Sequence, residues 1–207
     1  MNSQMVNKED FNAGAWVDVN LDAISENFDT VRSLVGEDTL ICSVIKADAY
    51  GHGVFEVARL LQEKGSDYLA VAVLDEGIEL RRQGIKTPIL ILGPLMPGQA
   101  TYVIRHDLTQ TICSLEMARE LSAEALRQRK TMKIHIKVDT GMGRIGVNYE
   151  DAVPLISKIM DLPYLKVEGI FTHYATSDSI DKKYVFEQWN RFNQVLDDLK
   201  EQGIRIP

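Results

Sequence analysis

The sequence predicts an α/β fold, a TIM-type (β/α)8 barrel that is truncated after about six strand–helix units. Apolar, strand-like runs alternate with amphipathic helical stretches at intervals of about 20–30 residues, which is typical of a parallel sheet with right-handed crossovers. The fifth run, residues 132–138, places Lys133, His135 and Lys137 on one face. Such a face fits a barrel interior near an active-site mouth better than an open doubly wound sheet covered by helices. An open sheet with a solvated edge strand is the alternative.

Six apolar runs predict the strands, because each is rich in strand-forming residues and ends at a polar or glycine-containing turn. They lie at 40–45, 68–74, 88–92, 108–112, 132–138 and 165–171. Apolar residues recur at helical spacing in three stretches, at Leu21, Ile24, Phe28, Val31 and Val35, at Val153, Ile156 and Met160, and at Val185, Trp189, Phe192, Leu196 and Leu199. Asp75 and Ser114 are predicted helix N-caps, and Gly203 a helix stop.

The predicted domain organisation is an N-terminal segment, residues 1–38, that leads into a barrel domain, residues 39–207. The chain ends at residues 204–207, where a seventh strand would begin. We therefore expect an incomplete barrel with an exposed sheet edge, because eight strands are needed for closure.

Composition excludes several classes of function. The net charge of −7 argues against binding to nucleic acid or to an anionic membrane surface. Residues 1–14 lack an apolar signal core, and no apolar segment is long enough to span a membrane, so a cytoplasmic protein is expected. Cys42 and Cys113 lie in apolar runs and are predicted to be reduced, buried thiols. The histidines show no metal-ligand spacing, so no metal site is predicted.

Lys46 ends the first strand-like run and is followed at once by a polar, glycine-rich turn. Burial at the end of a strand disfavours the charged amine and should lower its pKa, which prepares a lysine to form a Schiff base with a carbonyl compound. The alternative is a strand-end lysine that extends its amine to solvent. Tyr50, in the same turn, could direct its hydroxyl to a phosphate or simply pack as an aromatic residue.

Two further candidates follow the fifth and sixth strands. Residues 139–146 contain the G-x-G-x-x-G pattern of dinucleotide-binding proteins, but there the glycines open a helix, whereas residues 147–149 intervene before the next helical pattern. A tight loop that presents Arg144 for bidentate binding of a carboxylate fits better, with a solvated arginine as the alternative. His173 ends the sixth strand, where barrel enzymes keep their chemistry, although structural histidines are common.

Four stretches resemble the alanine racemase family. Residues 44–53, VIKADAYGHG, resemble its pyridoxal-phosphate attachment motif, and residues 139–147, DTGMGRIGV, and 168–176, EGIFTHYAT, resemble two later stretches in the same order. The opening WVDVNLDAISEN, residues 16–27, is similar as well. The resemblance covers nearly all of residues 15–207.

This resemblance implies a role for each matching residue. Lys46 would hold pyridoxal phosphate as a Schiff base and act as one of two catalytic bases. Tyr50 would bind the phosphate, Arg144 the cofactor's phenolic oxygen and the substrate carboxylate, and His173 would lie near the pyridine ring. Lys137 matches a family lysine that is often carbamylated and orients the arginine. The implied activity is interconversion of L- and D-alanine, which supplies D-alanine for peptidoglycan, in a cytoplasmic homodimer.

The chain also departs from the family, whose typical members are nearly twice as long. By this resemblance, the last two barrel strands and the C-terminal β-domain, with the tyrosine that serves as second base across the dimer, are expected to be missing from this chain. We therefore expect an N-terminal fragment with little activity alone. The alternatives are a racemase of serine or another small amino acid, a non-catalytic pyridoxal-phosphate-binding barrel protein, and a dinucleotide-dependent oxidoreductase.

Overall fold

The computed structural model describes residues 15–207, and its centre is a parallel sheet. Six strands pair in chain order, β1 (Cys42–Val44), β2 (Tyr68–Val71), β3 (Ile89–Ile91), β4 (Thr109–Ile112), β5 (Met132–Asp139) and β7 (Leu165–Phe171). A two-residue strand, β6 (Val147–Asn148), pairs with the end of β5. A doubly wound sheet reverses its strand order. The order here does not reverse, so the predicted barrel-type winding is confirmed.

One helix precedes the first strand, and the other helices come after strands. The helices are α1 (Leu21–Val35), α3 (Val54–Glu63), α4 (Leu74–Arg82), α5 (Ala100–Arg105), α6 (Leu115–Gln128), α7 (Tyr149–Met160) and α8 (Lys183–Glu201), with a short left-handed helical turn, α2 (Lys46–Gly51), after β1. Within residues 15–207, no helix combines the length and the apolar character needed to cross a bilayer.

The six predicted strands are all present, but most are shorter than predicted. The second run, for example, was predicted over 68–74, whereas β2 ends at Val71 and α4 already begins at Leu74. Asp75 is consequently not an N-cap but lies in the first turn of α4, because the Glu76 side chain accepts the Val73 N–H and starts the helix earlier. The Ser114 cap is confirmed, since its hydroxyl accepts from the Met117 N–H at 3.3 Å.

The predicted helix faces are partly wrong. Several residues of the predicted apolar stripes are exposed rather than packed, namely Val31, Val35, Met160, Trp189 and Leu196. In α8 the buried positions are Gln188, Val195 and Leu199. The buried face of α8 is therefore rotated by about one residue from the predicted apolar face, because polar Gln188, and not Trp189, occupies the core position. The helix still ends near the predicted stop, and Gly203 adopts a φ of 74° just beyond its C-cap.

The two faces of β5 differ as predicted. Met132, Ile134, Ile136 and Val138 are buried in the main hydrophobic core. Lys133, His135 and Lys137 alternate with them, and the first two line a cavity of about 620 Å³ that β1, β2, β3 and β7 also border. The strand therefore separates an apolar core on one side from a partly polar barrel interior on the other.

Both cysteines differ from the prediction of buried thiols. Cys42 is exposed and Cys113 only half-buried, and both are free. Cys42 lies on β1, which has a single partner strand among the described residues, and its side chain borders the open cavity. For Cys42, an apolar strand-like run did not ensure burial, because one face of this sheet opens to that cavity.

Candidate active site

Four basic side chains gather where the strands end. Lys46 follows β1, Lys137 lies near the end of β5, Arg144 lies on the loop after β5, and His173 lies two residues after β7. Burial lowers the pKa of His173, and the charges of Arg144, Lys137 and Lys46 lower it further. The fold thus brings together all four residues that the sequence predicted to lie at the active-site mouth, which is the edge of the sheet formed by the carboxyl ends of β1, β5 and β7.

Positive charge is only partly balanced at this mouth. Burial lowers the pKa of Lys137 and the nearby Arg144 lowers it further, while Cys113 and Asp139 act in the opposite direction. Lys137 is only 5% exposed, and its Nζ lies 5.7 Å from the centre of the Phe171 ring. A nearby positive charge disfavours the protonated form of a lysine and so lowers its pKa. An anionic group placed at the mouth would relieve that repulsion.

The turn that carries Lys46 is strained. Ala47, Asp48, Ala49 and Tyr50 all adopt left-handed conformations with φ between 52° and 56°. This conformation costs residues other than glycine about 1–2 kcal/mol each. Backbone strain of this kind persists only where the surroundings enforce it, and it is concentrated at functional sites. The glycine-rich sequence indicated a turn but not four consecutive left-handed residues.

Carboxylates enforce the turn. Glu76 Oε1 accepts the Ala47 N–H at 2.7 Å, and its Oε2 accepts the Ala72 N–H at 2.7 Å, so one side chain ties the ends of β1 and β2 together. Asp48 Oδ1 accepts the Val54 N–H at 2.8 Å, which fixes the start of α3 against the turn. Sequence reasoning missed the role of Glu76 at this turn, because its partner there, Ala47, lies 29 residues earlier and follows a different strand.

Tyr50 does not pack as a core aromatic. Its side chain is 59% exposed, and its ring centre lies 5.9 Å from Lys46 Nζ. Within residues 15–207 this side chain is therefore not packed in the core, so the packing alternative is wrong there, and phosphate binding by its hydroxyl stays a prediction.

The Arg144 loop is shaped by Asp139 and by glycines. The Asp139 carboxylate accepts the N–H groups of Gly141 and Gly143, each at 2.9 Å in its shortest contact. Burial would raise the pKa of Asp139, but these N–H bonds hold it below its usual value. Gly146 adopts a φ of 138°, and a Cβ there would lie 2.7 Å from the Asp139 backbone nitrogen. The glycines close a loop before β6 and do not open a helix, so the dinucleotide-binding interpretation fails.

Three side chains of α8 donate hydrogen bonds to the loops after β5 and β7, and sequence reasoning missed them. Gln188 is fully buried and donates to Thr140 Oγ1 at 3.1 Å and to the His173 carbonyl at 3.0 Å. Arg191 and Tyr184 donate to the carbonyls of Thr140 and Gly141, at 2.8 Å and 2.7 Å. The available signal was their spacing, which puts them on one face of a helix.

Comparison with known proteins identifies the family. The family model described as alanine racemase, N-terminal domain, matches residues 19–207. The alanine racemase of Halothermothrix orenii is 45% identical over 192 residues, which are 93% of this chain and 51% of that protein. The chain spans about half the length of the curated relatives it matches.

Solved structures show the same relationship. An alanine racemase from Clostridium difficile 630 in complex with cycloserine superposes with a TM-score of 0.91 at 42% identity, over 95% of this chain and 54% of that one. A histidine racemase from Leuconostoc mesenteroides subsp. sake gives a TM-score of 0.77 at 28% identity, over 83% of this chain and 46% of that one. These matches confirm the resemblance predicted from the four sequence stretches. The chain belongs to the alanine racemase N-terminal domain family.

Proposed function

We propose that this chain binds pyridoxal phosphate through Lys46 and that the protein interconverts L- and D-alanine. The observation that carries the proposal is the cluster of Lys46, Lys137, Arg144 and His173 at the mouth of the strands, where burial and the neighbouring positive charges lower the pKa of Lys137 and of His173. Family membership supports the reaction, and with it a supply of D-alanine for peptidoglycan by a cytoplasmic homodimer.

The donor set fits the chemistry of this cofactor, which carries an aldehyde, a phosphate and a phenolic oxygen. Lys46 offers an amine for the aldehyde on a turn held rigid by Glu76 and Asp48. The exposed hydroxyl of Tyr50 suits the phosphate. Arg144 and His173 offer donors to the phenolic oxygen and the ring. The excess of positive charge at the mouth favours a ligand with this much negative charge.

The cofactor, when bound, supplies the electron sink that makes the proton on the substrate Cα acidic. Lys46 Nζ would remove or return that proton on one face of Cα, since an amine held close to the reacting atom serves as a general base. Arg144 would hold the substrate carboxylate through two parallel N–H···O bonds and so fix the orientation of Cα. The resemblance assigns the opposite face to a tyrosine of the C-terminal β-domain.

Lys137 is proposed to carry a carbamate. Its lowered pKa increases the fraction of neutral amine, the form that adds to carbon dioxide. The Nζ–carbon bond forms as the amine loses a proton, which leaves a carboxylate. That group would attract Arg144 where the protonated lysine repels it. A mass increase equal to one carbon dioxide, mapped to Lys137 under non-acidic conditions, tests this assignment.

Reductive labelling tests the cofactor assignment. The purified protein is incubated with pyridoxal phosphate, reduced with borohydride and digested, and the modified peptide is identified by mass spectrometry. We expect one modified residue, Lys46, and no label at that peptide in Lys46→Arg, which keeps the positive charge. Lys130→Arg, at an exposed lysine, is the matched control and should label normally. Label spread over surface lysines without preference for Lys46 would contradict the proposal.

Exchange of the Cα hydrogen separates catalytic from non-catalytic alternatives. Each alanine enantiomer is incubated with the protein and cofactor in deuterated water, and loss of the Cα proton signal is followed by NMR together with chiral analysis. We expect exchange and racemisation of alanine when the C-terminal β-domain is present as well, and little of either from residues 1–207 alone. A non-catalytic pyridoxal-phosphate carrier would label at Lys46 but leave the Cα proton in place. Serine and histidine belong in the same assay, because a histidine racemase shares this fold.

A further inference from the structure

The side chain of Gln188 joins the two loops that carry Arg144 and His173. Its Nε2 donates to Thr140 Oγ1 at 3.1 Å and to the His173 carbonyl at 3.0 Å, and its Oε1 accepts the Ala175 N–H at 2.8 Å. Thr140 follows β5 four residues before Arg144, whereas His173 and Ala175 follow β7. One buried amide thus contacts both loops: one N–H bonds to the loop after β5, and the other N–H and the oxygen bond to the loop after β7.

We propose that Gln188 is a positioning residue that holds the Arg144 loop and His173 in a fixed relation across the proposed cofactor site. The expected effect on catalysis rests on the proposed function. The expected effect on the geometry of the two loops is independent of it. The hydroxyls of Thr140 and Thr172 also meet, at 2.7 Å, so the amide completes a buried polar network between the ends of β5 and β7.

An amide is the side chain that this network requires. The His173 carbonyl needs a donor and the Ala175 N–H needs an acceptor, a combination that a carboxylate or a thioether of similar length lacks. Buried polar networks specify one geometry when every member is paired, and they lose it when one member is removed. Gln188 is fully buried, so it occupies a position on α8 where an apolar residue could have packed in the core. In that position its amide defines the distance between the two loops.

Tyr184 provides a matched control on the same helix. Its hydroxyl donates to the Gly141 carbonyl at 2.7 Å, so it contacts the Arg144 loop but, unlike Gln188, has no hydrogen bond to the loop after β7 among the described residues. Loss of the Tyr184 hydroxyl should loosen one loop against α8. Loss of the Gln188 amide should release the two loops from each other.

The experiment compares Gln188→Met, Gln188→Glu and Tyr184→Phe with the wild-type protein. Methionine fills the core position without a charge, and glutamate keeps the acceptor for the Ala175 N–H but lacks the donor for the His173 carbonyl, so it is the second variant if methionine prevents folding. The measurements are borohydride labelling of Lys46, kcat and KM for alanine with the C-terminal β-domain present, and NMR titration of the His173 ring. Circular dichroism establishes that each variant is folded.

In Gln188→Met we expect Lys46 to label as in the wild type and alanine turnover to fall roughly 10- to 100-fold, as misplacement of positioning groups by about 1 Å does elsewhere. The His173 pKa should rise toward its ordinary value as the ring leaves the buried, positively charged mouth. Gln188→Glu should lose activity as well, because it cannot donate to the His173 carbonyl, and Tyr184→Phe should keep the wild-type His173 pKa.

Gln188→Met with wild-type kcat, KM and His173 pKa would overturn the inference, as would Gln188→Glu with full activity if only that variant folds. Absence of Lys46 labelling in the wild type overturns the proposed function instead. In that case the His173 titration, which needs no cofactor, still decides whether Gln188 sets the relation between the loops.

Discussion

The Lys46 turn and the Arg144 and His173 loops lie at the same mouth but are held in different ways. Carboxylates that accept backbone N–H groups hold the Lys46 turn, and its residues are in strained left-handed conformations. The two loops opposite are held by the side chains of α8, and a neutral amide, Gln188, bridges them.

This difference matches what each region has to present. A reactive amine must project from one fixed backbone position, so a rigid, strained turn suits it. Arg144 and His173 must keep a distance from each other, and a third element that contacts both loops can set that distance. At the turn, the carboxylates of Glu76 and Asp48 are engaged by backbone N–H groups. Between the two loops, the neutral Gln188 amide makes its hydrogen bonds without changing the charge at the mouth.

The largest expected effect comes from breaking the Arg144 loop at Gly146. Gly146→Ala places a Cβ 2.7 Å from the Asp139 backbone nitrogen at a φ of 138°. We expect it to lower the free energy of unfolding by roughly 3 kcal/mol, measured by urea denaturation, and to abolish alanine turnover. Gly143→Ala is the control, because its φ of 68° is unfavourable but its Cβ meets no atom within 4 Å, so a loss of only about 1 kcal/mol is expected. Equal losses would show that close packing does not shape this loop.

The next effect comes from removing the carboxylate that holds the Lys46 turn. Glu76→Ala leaves the N–H groups of Ala47, Ala72 and Val73 without their acceptor. Because part of this region is solvated, we expect a loss of roughly 2 kcal/mol of unfolding free energy, together with slower borohydride labelling of Lys46. Glu79→Ala, at an exposed position of the same helix, should change neither quantity. A Glu76→Ala protein as stable as Glu79→Ala would show that the strained turn holds itself.

The smallest effect concerns charge across the mouth. After burial, Arg144 is the largest cause of the lowered His173 pKa, so Arg144→Gln should raise that pKa in an NMR titration. Between the folded and unfolded pKa values the unfolded chain binds more protons, so this group's contribution to stability falls as the pH drops below about 6.5. Arg144→Gln should make that fall shallower.

Arg127→Gln, at a surface ion pair far along α6, is the control and should leave the His173 titration unchanged. If the His173 pKa is the same in Arg144→Gln as in Arg127→Gln, the two loops do not share an electrostatic environment. Stability is followed by urea denaturation of all three proteins at about pH 7.5 and about pH 5.5, on either side of the ordinary histidine pKa.

Local patterns in the chain were enough to predict the strand–helix alternation, the two faces of β5 and the four basic residues at the mouth. These features depend on periodicity and on what directly follows a strand, and parallel strands bring their carboxyl ends to one edge. Lys46, Arg144 and His173 follow strands, and Lys137 lies near a strand end, so the prediction that they meet required only the fold class. The family stretches added their chemical roles, which remain proposals.

Only the folded chain revealed how the mouth is held and which apolar residues are buried. Glu76 acts on a turn 29 residues earlier and Gln188 on a loop 48 residues earlier, and nothing in their local sequence names those partners. The left-handed turn at 47–50 is imposed against intrinsic preference by such distant contacts, and Gln188 displaces the packed stripe of α8 because its partners are buried. Sequence periodicity reports what each element prefers, whereas hydrogen bonds between elements decide where those preferences are overruled.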